Sequence, residues 1–448
     1  MPLSPSRTAA FDILMRVEQG AFADELLHSE RLDKLSAGDR ALCTQIVMGV
    51  LRWRSQLDEM IGLWSKTPPP KLDLEVATAL RMGAYQLVHL ERIPAHAAVD
   101  QTVELVKRAG RRFSAPMVNA VMRKIADTKP GPPSAAGEES PLELMAAASA
   151  HPLWLLQRWE TEYGLDAARQ IADYDQQVPV PALRLCDAAA ENDLRREGID
   201  LAPGVLVARA RRVLSGDVTK THTFADARAY LQDEASQLVA LLVGHGARIL
   251  DCCAAPGGKA SVIAERNPSS LVVAAELYPA RARLARRLMR ARNVLVIAAD
   301  AQALPLMPNF DRVLADVPCS GTGTLARNPQ IKWRLQAREL SDLHRRQVAI
   351  LRAALGCLAP SGRVMYSTCS LEREENEDVV AEVMAGRDDL LLLDCRDELQ
   401  HLKARGDLVW DDPGSLVRGK FLRTLPGVHP CDGFFAAIIE RSVTDLQG

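Results

Sequence analysis

The chain has 448 residues, of which 48% are apolar and 25% are charged, and it contains 27 glycines and 26 prolines. This composition is typical of a folded globular protein of about three domains, and it excludes a disordered, fibrous or miniature disulfide-stapled scaffold. The net charge of −2 excludes a uniformly basic protein, so any contact with a polyanion has to come from local basic patches.

Targeting signals and cysteine usage indicate the cellular compartment. No stretch approaches the roughly 18 uninterrupted apolar residues of a membrane span, and the N-terminus has neither a secretory apolar core nor a small-residue cleavage site. The nine cysteines form no CxxC pair and are accompanied by no histidine spacing typical of zinc. We therefore expect a cytoplasmic protein with free thiols, no metal ion and no membrane contact.

Residues 7–128 have the pattern of helices joined by short loops. One predicted buried face follows the spacing i, i+3, i+4, i+7, i+8 at Leu80, Gly83, Ala84, Leu87 and Val88. A second face repeats this spacing at Val99, Val103 and Val106. Residues 129–141 (KPGPPSAAGEESP) combine four prolines and two glycines without periodicity, which predicts a linker and a domain boundary.

The region 142–233 is predicted to hold a helical connector and a small α+β subdomain. Its first part, to about residue 175, is helical, with Trp154, Leu155 and Trp159 on one side. Short strands are then predicted at residues 181–186 and 205–207, separated by a charged helix-like stretch at residues 192–198.

From residue 234 onward, apolar strands alternate with helices. The predicted strands are 248–252, 271–276, 294–299, 312–316 and 363–367. Such alternation implies parallel pairing in an α/β sheet, and ligands of these sheets bind outside the carboxyl ends of the strands.

The first of these strands ends in a glycine-containing loop, Asp251-Cys252-Cys253-Ala254-Ala255-Pro256-Gly257-Gly258-Lys259. Small residues let the backbone approach a ligand closely, and the helix N-terminus that follows favours an anionic group. The loop therefore predicts a nucleotide-like cofactor. It is not a phosphate-binding P-loop, which needs glycine at Cys253 and serine or threonine at Ala260, and it lacks the dinucleotide pattern G-x-G-x-x-G.

Acidic residues and thiols follow the remaining strands. Glu276 ends the second strand, where a carboxylate can accept hydrogen bonds from ribose hydroxyls, and Asp300 follows the third. Cys319 lies in the loop that begins at Asp316, and Cys369 lies in the loop after the fifth strand. Because the fourth and fifth strands are usually neighbours, we expect two thiols and a carboxylate to converge there. Packing is the expected role of the remaining cysteines outside the glycine loop, Cys43, Cys186, Cys357, Cys395 and Cys431.

Three of these motifs resemble those of the RNA (cytosine-5)-methyltransferases: CAAPGGK at residues 253–259, Asp-x-Pro-Cys-Ser-Gly-x-Gly from Asp316, and Ser-Thr-Cys-Ser at residues 367–370. The N-terminal region is similar to the NusB-type RNA-binding bundle, and the order of regions resembles the bacterial RsmB (Sun, Fmu) type of the family. Asp-Gly-Phe-Phe at residues 432–435 matches the family's closing strand, in an antiparallel hairpin.

The resemblance implies a multidomain fold. Its parts are an all-α NusB-like bundle (1–128), a linker (129–141), a helical connector with a small α+β subdomain (142–233), and a C-terminal α/β Rossmann-like class I methyltransferase domain (234–448).

The implied cofactor is S-adenosylmethionine. The implied cofactor-binding residues are Cys253, Ala254, Ala255, Pro256, Gly257, Gly258, Lys259, Glu276, Asp300 and Asp316. Cys369 is implied as the nucleophile that adds to C6 of cytosine, Cys319 as the residue for product release, and Asp316 as the residue that stabilises the base. Glu276 stands where the family more often has aspartate.

The implied partner is RNA, either 16S ribosomal RNA or an early small-subunit assembly intermediate, bound by a monomer. Three basic clusters are candidates for holding it: Arg281, Arg283, Arg286, Arg287, Arg290 and Arg292 on one helix, Arg209, Arg211 and Arg212, and Lys107, Arg108, Arg111 and Arg112.

Other interpretations stay open. The same chemistry on transfer RNA is one, because catalytic motifs do not choose the RNA. A non-catalytic RNA-binding assembly or antitermination factor is another, although both thiol motifs and the glycine loop are intact. A nucleotide-dependent oxidoreductase is disfavoured by the missing G-x-G-x-x-G pattern.

Overall fold

The computed structural model describes residues 3–29, 32, 34–128 and 140–442. The chain divides into two compact units, Met1–Val178 with Leu325–Arg334, and Pro179–Thr324 with Leu335–Gly448. Residues 129–139 of the predicted linker lie outside the described residues, and Ser140 caps a helix that begins at Pro141. The division between the two compact units falls after Val178, and the predicted domain boundaries stay a proposal.

The first unit is helical. Its helices up to Val178 are α1 (Pro5–Glu18), α2 (Ala23–Leu27), α3 (Ala37–Arg52), α4 (Arg54–Ser65), α5 (Leu74–His89), α6 (Ala95–Arg108), α7 (Ala115–Thr128), α8 (Pro141–Ser149), α9 (Leu153–Tyr163) and α10 (Leu165–Asp175). Helix α5 is central, since it packs against α1, α3, α4, α6 and α7 and is buried on all sides over residues 76–86. Gly83 permits this packing, because a side chain there would overlap Thr102 and Met122.

The second unit contains a small antiparallel sheet. Its elements are β1 (Ala182–Leu185), α11 (Ala188–Arg196), β2 (Asp200–Pro203), β3 (Ala210–Ser215), α12 (His222–Ala225) and β4 (Ala229–Leu231), and the strand order is β2-β3-β1-β4. The predicted strand at residues 205–207 is wrong. The amides of Leu206 and Val207 donate to one carboxylate oxygen of Glu234, at 2.7 and 2.9 Å, and are therefore not available to a strand ladder.

The second unit also contains a nine-stranded mixed sheet. Its elements are α13 (Glu234–Leu242), β5 (Arg248–Asp251), α14 (Gly258–Arg266), β6 (Leu271–Glu276), α15 (Pro279–Leu288), β7 (Val294–Ala298), β8 (Phe310–Asp316), α17 (Glu339–Gly356), β9 (Leu358–Thr368), α18 (Glu377–Met384), β10 (Leu390–Leu393), α19 (Cys395–Ala404), β11 (Val417–Arg418), β12 (Phe421–Thr424) and β13 (Phe434–Arg441). The strand order is β11-β12-β13-β9-β8-β5-β6-β7. The ninth strand, β10, pairs with β13 outside this order.

Strands β5 to β9 pair in parallel, as predicted. Strand β13 is antiparallel to β9 and β12, which confirms the predicted antiparallel final hairpin. In the parallel register Asp251 lies opposite Leu314, and Asp316 lies opposite Ser367. The carboxyl ends of β5, β8 and β9 therefore lie side by side, and their loops share one edge of the sheet.

One predicted basic cluster does not lie wholly on a helix. Arg281, Arg283, Arg286 and Arg287 belong to α15, whereas Arg290 and Arg292 follow its end at Leu288.

No helix of residues 3–29, 34–128 and 140–442 is both long and apolar enough to cross a membrane.

The segment Leu325–Arg334, which ends in the short helix α16 (Ile331–Arg334), belongs to the helical unit. The buried Lys332 ammonium donates to the carbonyl oxygens of Arg52 and Ala150, at 3.0 and 2.9 Å. The Trp333 indole donates to the carbonyl of Leu51 at 2.6 Å. These carbonyls lie at the C-terminal ends of α3 and α8, where the helix itself offers no partner, so the segment supplies hydrogen-bond donors to them.

Candidate active site

The glycine loop joins β5 to α14 at the carboxyl edge of the parallel strands. Gly257 precedes the first residue of α14 with φ +114°, a conformation that a residue with a side chain rarely adopts. A Cβ at Gly257 would also come within 2.8 Å of Met289. The peptide bond between Ala255 and Pro256 is cis. The loop therefore brings bare backbone to the start of a helix, an arrangement suited to an anionic group such as a carboxylate.

Two of the predicted acidic residues lie at adjacent strand ends. Glu276 is the buried last residue of β6, and its carboxylate accepts from the amide of Tyr278 at 3.0 Å. Asp300 is exposed, two residues beyond β7, and accepts from the amide of Gln302 at 2.9 Å. Since β6 and β7 are parallel neighbours, both carboxylates lie on the same edge of the sheet as the glycine loop.

Lys259 and Asp316 form an ion pair between the glycine loop and the end of β8. The Lys259 Nζ lies 2.8 Å from Oδ2 of Asp316, and the Ser367 hydroxyl donates to Oδ1 of Asp316 at 2.7 Å. The ammonium also lies 5.1 Å from the ring centre of Phe434, a cation–π distance. Burial is the largest influence and lowers the pKa of Lys259, but the charge and hydrogen bond of Asp316, together with the charges of Cys369 and Asp251, outweigh it, so the net shift raises that pKa. Lys259 is therefore held as a cation.

Asp251 is a further acidic residue of this edge. Its side chain is buried, and one carboxylate oxygen accepts from the amide of Cys253 at 3.2 Å. Burial, and then the negative charge of Asp316, raise the pKa of Asp251 to about 7. Asp251 thus changes its charge near neutral pH, unlike an ordinary aspartate.

The two predicted thiols are brought together. Cys319 lies three residues beyond β8, Cys369 lies one residue beyond β9, and their sulfur atoms are 3.4 Å apart. Both side chains are half-buried. The hydrogen bond with Cys369, followed by burial, raises the pKa of Cys319. Cys319 therefore stays protonated, and its S–H group can donate a hydrogen bond to the sulfur of Cys369.

The other cysteines lie outside this pair. Cys43, Cys252, Cys357, Cys395 and Cys431 are buried, and Cys186 and Cys253 are half-buried. Burial raises the pKa of Cys43 to about 11 and that of Cys395 to about 12. Such thiols are poor nucleophiles, because the thiolate is the reactive form.

Two residues that line these loops were not predicted as site residues. Asp251 was named only as the start of the glycine loop, and Glu375 belongs to the acidic run Glu374-Glu375-Asn376-Glu377, for which the sequence predicts only the start of a helix. Glu375 instead ends a short 3₁₀ turn, Arg373–Glu375, and α18 begins two residues later. Its side chain is fully buried and contacts both thiol loops. A carboxylate that no solvent reaches needs partners, but the sequence does not show which residues supply them.

Comparison with known proteins gives matches to two family models, in different parts of the chain. The family model described as 16S rRNA methyltransferase RsmB/F matches residues 238–440, and that of the NusB family matches residues 4–127. A probable ribosomal RNA small subunit methyltransferase B from Bacillus subtilis (strain 168) is 32% identical over 452 residues, covering 97% of this chain and 98% of that protein. The chain belongs to the RsmB/F methyltransferase family. The match at residues 238–440 includes the glycine loop and both thiol loops.

Further relatives agree with this assignment. The ribosomal RNA small subunit methyltransferase B of Xanthomonas campestris pv. campestris is 31% identical over 458 residues, covering 98% of this chain and 97% of that protein. The crystal structure of PH0851 has a TM-score of 0.79 at 20% identity and covers 98% of this chain and 100% of that chain. The expected fold class is confirmed: a NusB-like helical domain at the N-terminus and a methyltransferase domain with a mixed sheet at the C-terminus.

Proposed function

We propose that this member of the RsmB/F family transfers a methyl group from S-adenosylmethionine to C5 of a cytosine in small-subunit ribosomal RNA, through a covalent bond between Cys369 and C6 of the base. The observation that carries the proposal is the pair of half-buried sulfur atoms of Cys319 and Cys369, 3.4 Å apart, beside the Lys259–Asp316 ion pair. The relatives from Bacillus subtilis and Xanthomonas campestris, which match nearly the whole chain, are named as ribosomal RNA methyltransferases, and this supports ribosomal RNA as the substrate. A cytosolic location follows from such a substrate.

The chemistry explains the need for a thiol. C5 of cytosine is a weak nucleophile, and addition of the Cys369 thiolate to C6 converts the ring into an enamine whose C5 can attack an electrophilic methyl group. S-adenosylmethionine supplies that methyl group on a sulfonium. Afterwards a base removes the C5 proton, the C6–sulfur bond breaks, and its electron pair returns to Cys369 as the thiolate.

Cys319 is suited to the release step. Its thiol keeps its proton and lies within hydrogen-bonding distance of the Cys369 sulfur. A hydrogen bond donated to the departing thiolate stabilises the negative charge that forms on Cys369. Asp316 is the last residue of β8, the strand that precedes the Cys319 loop. Its carboxylate is oriented by Lys259 and Ser367. We assign it to hydrogen bonding with N3 or the exocyclic amine of the cytosine.

The residues at the sheet edge fit the cofactor. The backbone of residues 253–258 and the start of α14 suit the methionine carboxylate, and Glu276 suits the ribose hydroxyls. Asp300 and Asp316 complete the proposed set with Lys259.

A base inside a duplex cannot be reached by a thiolate, so the target cytosine has to be single-stranded or flipped out. The substrate is 16S ribosomal RNA or an early small-subunit assembly intermediate, bound by a monomer that needs no metal ion.

The test uses four variants: Cys369→Ala, Cys319→Ala, the double variant, and Cys186→Ala as the control for loss of a half-buried thiol outside the pair. Each is incubated with S-adenosylmethionine and unmodified small-subunit ribosomal RNA or transfer RNA, followed by assays for 5-methylcytosine and for denaturant-stable protein–RNA adducts. We expect Cys369→Ala to be inactive, Cys319→Ala to accumulate an adduct that the double variant lacks, and Cys186→Ala to behave as wild type.

Each other result has a distinct meaning. Normal turnover by Cys369→Ala would refute the nucleophile assignment. Activity on transfer RNA alone would replace the substrate. RNA binding by the wild-type protein without adduct or methyl transfer would favour the alternative of a non-catalytic assembly or antitermination factor.

A further inference from the structure

Glu375 is a carboxylate without solvent exposure that lies between the two thiol loops. One of its oxygens accepts from the amide of Ser320 at 2.8 Å and from the Gln347 side chain at 2.9 Å. Its other oxygen accepts from the hydroxyl of Ser370 at 2.5 Å and from the hydroxyl of Ser320. Four donors on one buried carboxylate satisfy its charge and make each bond charge-assisted.

The donors come from the neighbours of the two cysteines. Ser320 directly follows Cys319, and Ser370 directly follows Cys369. The two serine hydroxyls also lie 3.0 Å from each other. Glu375 therefore joins the two loops through the residue that directly follows each cysteine.

The two loops depend on this carboxylate to different degrees. The Cys369 loop has additional ties, because the carbonyl of Ser370 accepts from Asn376 at 2.9 Å and from Arg423 at 3.2 Å. On the Cys319 side, the carbonyl of Pro318 accepts from Gln347 at 3.0 Å, and Gln347 is itself bonded to Glu375. The ends of the Cys319 loop are also held, because the amide of Val317 donates to Ser367 at 3.0 Å and that of Gly323 to Cys369 at 2.9 Å. Ser320, however, bonds to Glu375 through both its amide and its hydroxyl, so loss of Glu375 would loosen the residue after Cys319 more than the residue after Cys369.

We propose that Glu375 is a positioning residue, which holds the Cys319 loop so that the two sulfur atoms face each other at hydrogen-bonding distance. In this role Glu375 acts through Cys319 and not through contact with the base or the cofactor. The inference rests on the proposed function where it assigns Cys319 to product release. Its removal should therefore produce the defect expected of Cys319→Ala and not that of Cys369→Ala.

The first test compares Glu375→Gln with Glu374→Gln, which makes the same charge change at a half-buried neighbour. For Glu375→Gln we expect single-turnover methylation to persist while denaturant-stable adduct accumulates and multiple turnover falls by roughly 10-fold to 100-fold, the factor of one hydrogen bond to a charged group. Glu374→Gln should match wild type. Adding Glu375→Gln to Cys319→Ala should cause no further loss of turnover. Equal loss of methylation and adduct in Glu375→Gln would overturn the proposal.

A second measurement needs neither RNA nor activity. The negative charge of Glu375 contributes to the raised pKa of Cys319. Peptide mapping after iodoacetamide treatment across a pH series should therefore show the alkylation midpoint of Cys319 at lower pH in Glu375→Gln than in wild type and Glu374→Gln. An unchanged midpoint would also overturn the proposal. If wild type modifies no RNA, the proposed function fails, but this profile still decides the role of Glu375.

A smaller change covers the case in which Glu375→Gln does not fold. Ser320→Ala removes one hydroxyl donor to the Glu375 carboxylate and leaves the hydrogen bond from the backbone amide of residue 320 in place. We expect faster alkylation of Cys319 at one fixed pH and a smaller rise in adduct. Wild-type behaviour of Ser320→Ala in both measurements would count against a positioning role.

Discussion

Asp251 is the buried carboxylate that begins the proposed cofactor loop, and we expect the ammonium group of the proposed cofactor to lie beside it. Cofactor binding should then weaken about tenfold between pH 8 and pH 6, because the ionised form of Asp251 attracts a cationic group and the protonated form does not. Burial and the charge of Asp316 raise the pKa of Asp251 to about 7. The ammonium group of the cofactor's methionine part favours the carboxylate form. Binding should therefore remove a proton from Asp251 wherever this group is protonated beforehand.

The magnitude follows from that pKa. With a pKa of about 7, roughly 90% of Asp251 is ionised at pH 8 and roughly 10% at pH 6, which is a tenfold difference, or about 1.4 kcal/mol. Without cofactor, the same group affects stability in the opposite direction. Between the ordinary aspartate pKa of 3.8 and about 7 the folded state holds the proton and the unfolded state does not, so the stability contributed by this group falls as the pH rises through that window.

The assay is titration calorimetry with S-adenosylhomocysteine, which keeps the ammonium group, at pH 6, 7 and 8 in buffers of different ionisation heat. Buffer-dependent heats report the protons released, about 0.9 per molecule bound at pH 6 for a pKa of about 7. Asp251→Asn serves as the control and should bind with little dependence on pH. A pH-independent Kd of the wild-type protein without proton release would refute this account of Asp251.

Two further changes test the surroundings of the site and the RNA contacts. Lys259→Met leaves the carboxylate of Asp316 without its cation, so the affinity for S-adenosylhomocysteine should fall by about 30-fold, near 2 kcal/mol. This loss is smaller than that expected for a fully buried ion pair, because both side chains are partly exposed. An unchanged Kd in calorimetry would contradict this prediction. Charge reversal at Lys107 and Arg108, whose ion pairs with Glu104 and Asp12 are exposed and therefore weak, should weaken RNA binding and flatten its dependence on salt concentration. Equal affinity and slope in filter binding would mean that this face is only solvated surface.

The sequence predicted the parallel strands within a few residues, because each is a short apolar run that ends in a polar or glycine-containing loop. Strand β6 was predicted with its observed bounds, whereas β9 begins five residues earlier than predicted. The strand predicted at residues 205–207 failed for a physical reason. Its apolar residues are buried as expected of a strand, but their amides are bonded to Glu234, a partner more than twenty residues away in the chain.

The site was predicted to the extent that strand order determines it. Residues after adjacent parallel strands meet at one edge, so the proximity of Cys319, Cys369 and Asp316 followed from the order of motifs alone. The partners of Asp251 and Glu375 could not be predicted, because burial and long-range hydrogen bonds depend on how loops pack, which no local pattern records.

The register of the sheet shows why one thiol needs a tie that the other does not. Asp316 lies opposite Ser367 in the parallel pair of β8 and β9. Cys369 is then one residue beyond the last paired strand position, whereas Cys319 is three residues beyond the end of its strand. The strand ladder therefore fixes Cys369 almost directly, but Cys319 needs hydrogen bonds from outside the ladder. Glu375 supplies two of them, to the amide and the hydroxyl of Ser320, from the segment that follows Cys369, so the position of both thiols depends on the fold of the same loop.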